Sequence, residues 1–176
     1  MQHTWDILTY LIDGCAVSLV LFLIASVFVP ALKNIRSPYL RIANTAYAIM
    51  GLIPLGILIF FYGSVVMETY DDPIRSSIYV WVKYALIVIL LLGLVPASAF
   101  SPKRNAAVWF TCLLIVSVPA ITHMSTIAEW IAAWAWKGYY FFNNKEAPME
   151  KWYRLLIALL FFVICYWFTR RKISRA

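Results

Sequence analysis

Five long apolar stretches, joined by short loops that alternate strictly between purely basic and acid-containing, leave this chain few ways to fold. Residues 33–41 (KNIRSPYLR), 101–105 (SPKRN) and 170–175 (RRKISR) hold nine Lys or Arg and no acid. The other connections, 1–6, 68–76 and 137–151, hold Asp6, Glu68, Asp71, Asp72, Glu146 and Glu150. Asp13 and Glu129, the last two of the eight acids, lie inside apolar segments beside those acidic loops. Short loops rich in Lys and Arg stay on the cytoplasmic side during insertion. The pattern therefore predicts an outside N-terminus, a cytoplasmic C-terminus and five spans, at about 7–32, 42–67, 77–100, 106–125 and 151–169.

With 64% hydrophobic and 13% charged residues, the chain is excluded from the ordinary water-soluble class. A hydrocarbon layer about 30 Å thick needs roughly 20 apolar residues per helix, which each stretch supplies. No loop is long enough for a separate soluble unit. The expected fold is thus an all-α membrane protein, a five-transmembrane-helix bundle forming one integral-membrane domain over 1–176. The first stretch does not read as a signal peptide, because MQHTWD carries no Lys or Arg and the basic cluster follows the apolar run. The net charge of +7 is accounted for by topology and by contact with anionic headgroups, which argues against nucleic acid as a partner. Cys15, Cys112 and Cys165 fall within the spans without a CxxC pair, so no disulfide framework is expected. The absence of an N-x-S/T sequon suits a bacterial inner membrane.

Two spans have internal features. GLIPLG at 51–56 places Pro54 near mid-membrane, where a missing N–H bends a helix, and Pro119 does the same in span 4. The glycines allow close approach of a neighbouring helix. Segment 4 stays apolar from Ala106 to Trp136, about 46 Å as one helix and too long for a simple span. Thr126-Ile127-Ala128-Glu129 has the T-x-x-E form of a capping box. A second helix over about 126–136 is expected to lie along the outer interface, with a continuous, strongly tilted helix 4 as the alternative. Ile127, Trp130, Ile131 and Trp134 share one of its faces, and Trp136 follows; lipid or a partner is expected to cover them.

Ionisable side chains in hydrocarbon call for a partner or a wet cavity. Counting along the spans puts Asp13 and Lys83 each about 9 Å below the outer surface, and His123 about 4–5 Å below it. Glu68 and Glu129 would form a rim above them, and Tyr10, Tyr62, Tyr79, Tyr84 and Thr122 lie at similar depth. The simplest arrangement is an Asp13–Lys83 ion pair between helices 1 and 3, with His123 hydrogen-bonded beside it. A water-filled outer site for a cation, a proton or a polar ligand is the functional alternative, with His123 titrating near neutrality. No acid or His occurs in the inner half, which argues against a proton-relay pump working alone.

Only His3 and His123 are available to a haem, and no spacing requires copper at His123, Met124, Met67 and Cys15. No cofactor and no metal are expected. Motifs for phosphate loops, zinc proteases and serine hydrolases are absent. The leading expectation is a non-catalytic subunit that stabilises or positions a partner in a larger inner-membrane complex, alongside other membrane-protein subunits or copies of itself. A small transporter or channel using Asp13, Lys83 and His123 is the alternative. A membrane enzyme acting on a lipid-type substrate is the third.

Overall fold

The computed structural model describes the backbone of residues 2–68, 76–101, 103–123, 126–127 and 148–174, and the side chains of 5–61, 63–64, 85–101, 103–123, 126–127 and 152–174. Helices make up nearly all of it, in the order α1 (Gln2–Phe28), α2 (Pro30–Glu68), α3 (Ser76–Ala97), a 3-10 turn (Ser98–Phe100), α4 (Val108–Thr122) and α5 (Pro148–Ile173). There is no strand among the described residues. Three segments are long and apolar enough to cross a membrane: Trp5–Phe28, Pro30–Phe61 and Trp152–Ile173. Ala85–Phe100 and Val108–Thr122 are shorter apolar helices. This is the make-up of a helical membrane protein, whose backbone groups must be satisfied within each segment.

The first basic segment is not the loop that its sequence suggests. α1 ends at Phe28 rather than near residue 32, a single residue intervenes, and α2 begins at Pro30 and continues through 33–41 without a break. The turn is closed by Val29 N–H donating to the Ala25 carbonyl at 2.9 Å and by Leu32 N–H donating to the Val29 carbonyl at 3.0 Å. Proline suits this first helical position, where its missing N–H would have had no acceptor. Packing then holds the helix through Pro38. Tyr39 and Leu40 are fully buried, and the Tyr39 ring stacks on Phe22 of α1 with centroids 3.7 Å apart. Lys33 and Arg41 remain exposed on the other faces.

α2 and α4 form the middle of the bundle. α1 and α5 pack on one side of them, and α3 on the other. Among the described residues α1 and α3 make no contact. The core runs through Ile12, Leu19 and Phe22 of α1, Tyr47 of α2, Phe110, Leu114 and Val118 of α4, and Phe161 of α5. Three glycines, Gly14, Gly51 and Gly93, let helices approach closely, and a Cβ on Gly93 of α3 would meet Leu55 of α2 at 2.6 Å. A Cβ on Gly14 would meet the Ile157 side chain at 2.7 Å and the Arg154 carbonyl at 2.9 Å, so α5 lies directly on the α1 backbone. A Cβ on Gly51 would meet both Val118 methyls at 2.8 Å, as expected for a small residue in GLIPLG. Gly56, five residues on, faces no described atom within 4 Å.

Pro54 and Pro119 lie inside α2 and α4 respectively. α4 starts two residues after the expected start of span 4 and ends at Thr122, giving 15 residues or about 22 Å. Its end is shaped by Pro119, whose carbonyl accepts from His123 N–H at 2.8 Å and from the Thr122 hydroxyl at 3.1 Å. Thr126 and Ile127 are helical, and Ile127 is exposed. The rest of the expected interfacial helix, with Glu129, Trp130, Ile131, Trp134 and Trp136, lies outside the described residues.

Candidate functional site: one carboxylate shared by three helices

Asp13 sits on α1 one residue before Gly14, where α1 comes closest to α5. That close approach puts Arg154, on the first turns of α5, beside the carboxylate. Arg154 Nε lies 3.5 Å from Asp13 Oδ2, an ion pair rather than a well-formed hydrogen bond. The guanidinium also stands 5.4 Å from the centroid of Tyr10, one turn earlier on α1. It is thus held between a carboxylate and an aromatic face, both of which favour a cation.

His123 completes the group from the C-cap of α4. Its Nε2 is 3.1 Å from Asp13 Oδ1 and 3.3 Å from Oδ2. An ionised carboxylate only accepts, so the ring must carry its proton on Nε2, either as that tautomer or as the imidazolium. Side-chain exposure falls from 35% at His123 through 23% at Arg154 to 16% at Asp13. The acid is therefore the inner member, and the imidazole is the part that meets the surroundings. With neutral His123 the trio carries no net charge, and protonation makes it +1.

Of the residues that the sequence marks, Asp13 and His123 come together. Glu68 closes α2 and Lys83 lies on α3, but the side chains of both fall outside the described residues, as does all of Glu129. Arg154 was missed by the sequence reading. The signal was present: it is a basic residue three positions inside the last predicted span, at the acid-rich end.

A second polar group lies toward the other end of α2. The Asn44 amide nitrogen donates to the Asn105 carbonyl at 2.6 Å and to the Thr111 hydroxyl at 2.9 Å. The Asn105 amide in turn donates to the Thr45 hydroxyl at 3.1 Å. Asn44 is completely buried, so these bonds fasten the α3–α4 connection onto α2. Sequence reasoning missed it too, because a lone Asn in an apolar run carries no charge to mark it. Cys15 Sγ lies 3.6 Å from Met50 Sδ, a contact between two core residues of α1 and α2. Among the described residues no three His, Cys, Asp or Glu side chains converge as metal ligands would.

No protein-family model matches the chain, and neither a curated protein nor a solved structure shows significant similarity to it.

Proposed function

We propose that this chain is a non-catalytic integral-membrane subunit that stabilises or positions a partner in a larger complex of a bacterial inner membrane. In this reading it has five spans, with the N-terminus and the Asp13 end outside and the basic segments in the cytoplasm. The observation that carries the reading is the engagement of Asp13 on two sides, by His123 and by Arg154. A carboxylate that binds a transported cation must exchange it for water or another ion. One flanked by a guanidinium from its own chain is already neutralised and serves to tie α1, α4 and α5 together. Such a tie suits a rigid part that presents a surface. α5 offers that surface, since Trp152, Leu156, Leu160, Val163 and Trp167 are exposed along it.

A second reading has one observation in its favour. His123 is a third exposed and hydrogen-bonded to a more buried acid, which is how a site taking up protons or a polar solute from outside would be built. Proteoliposomes separate the two. Reconstituted alone, the chain is expected to carry no proton or cation flux above that of empty vesicles. A flux abolished by Asp13→Asn, in a variant that still folds and inserts, would overturn the subunit reading in favour of transport.

A further inference from the structure

Between α1 and α5, away from Asp13, runs an apolar groove of about 300 Å³ lined by Leu21, Phe22, Ala25, Leu32, Ala158 and Phe162 among others. That volume lies at the lower end of ligand pockets and suits one slender chain. No charged side chain lines it, but a cation follows on each of two helix faces that lead away from it. On α5, Ala158 and Phe162 continue in four-residue steps to Tyr166 and Arg170, which places all four along one face. The Phe162 and Tyr166 rings stack at 5.8 Å, and Arg170 Nε donates to the Tyr166 hydroxyl at 3.0 Å.

α2 supplies the second cation. Leu32 lines the groove, and Tyr39 packs behind it, stacked on Phe22 and 5.9 Å from Phe162, two rings that line it. Arg36, four residues after Leu32 and three before Tyr39, shares that face and is only partly covered. No acid is available nearby in sequence to neutralise these cations: residues 14–67 and 151–176 contain no Asp or Glu.

We propose that the groove is a binding site for an anionic phospholipid, one acyl chain lying between α1 and α5 and the phosphate held by Arg36 and Arg170. The distances suit it. From Ala158 to Arg170 is about 18 Å of helix, close to half of the roughly 30 Å hydrocarbon layer and so to the depth of one leaflet. Basic pockets between membrane helices bind anionic headgroups in this manner. The site is independent of the subunit reading, since any membrane role is compatible with it.

The test is native mass spectrometry of the full chain released from nanodiscs of equal phosphatidylcholine and phosphatidylglycerol. The parent is expected to retain phosphatidylglycerol over phosphatidylcholine by about tenfold. The double variant Arg36→Gln/Arg170→Gln should bring the two lipids to parity, and Ala25→Phe, which fills the groove, should lose the retained lipid altogether. Lys103→Gln, on the α3–α4 connection, should behave as the parent. Equal retention of both lipids by the parent would overturn the proposal. So would full selectivity in the double variant, parent-like retention by a folded Ala25→Phe, or a loss in Lys103→Gln as large as in the double variant. Should Ala25→Phe fail to fold, the double variant decides alone, because it alters only partly covered or exposed side chains.

Discussion

Asp13 is the residue on which the site turns, and its partners separate what depth can tell from what it cannot. Counting residues from the end of a span ranks side chains along the membrane normal. It says nothing about which helices are neighbours. Lys83 and Asp13 lie at matching predicted depth, yet α1 and α3 make no contact among the described residues. Arg154 lies nearer the end of its span, but its helix is the one packed against Gly14. Asp13 and His123 were legible because an ionisable group in an apolar run needs a partner. Arg154 as a partner was not, because azimuth and helix order are set by tertiary packing. Removing one member of a partly buried ion pair leaves the others uncompensated, so Asp13→Asn is expected to destabilise the chain by about 1–3 kcal/mol. Arg154→Gln should cost a similar amount, and the double variant less than the sum of the two. Unfolding in mild detergent titrated with denaturing detergent measures all three; strict additivity would show that the two side chains do not act on one another.

At the scale of elements, the apolar runs were legible as helices and their connections were not. KNIRSPYLR has the charge and the proline of a loop. It is helical because Val29 completes the reversal alone and the Tyr39 ring then finds a place against Phe22. Packing of one aromatic pair outweighs the weak local preference of a polar, proline-containing segment. The contact between α1 and α5 is exacting, since a Cβ on Gly14 would meet a backbone carbonyl as well as the β-branched Ile157 side chain. Gly14→Ala is therefore expected to cost about 1–3 kcal/mol by overpacking, and to disturb the Arg154–Asp13 pair with it. Gly56→Ala, placed where no described atom is near, should be neutral or slightly stabilising through its better helix propensity. The same detergent titration compares them, and equal effects at the two positions would contradict the packing described.

For the whole molecule, the alternation of purely basic with acid-containing loops carries the proposed orientation. Single cysteines at the two ends test it in intact cells made free of Cys15, Cys112 and Cys165. Asp6→Cys is expected to react with a membrane-impermeant thiol reagent added outside, and Ser174→Cys only after the cells are opened. The reverse pattern would invert the bundle and place the Asp13 site in the cytoplasm. The larger claim is that this is a part presenting a surface rather than a machine that works alone. Its most direct test is purification of the tagged chain from its native membrane in mild detergent, with mass spectrometry of whatever accompanies it. A partner in fixed stoichiometry is expected, and is expected to be lost when Trp152, Leu156 and Val163 on the exposed face of α5 are replaced by Ala while the Asp13 site is untouched. A chain that purifies cleanly by itself from membranes where it is active would contradict it.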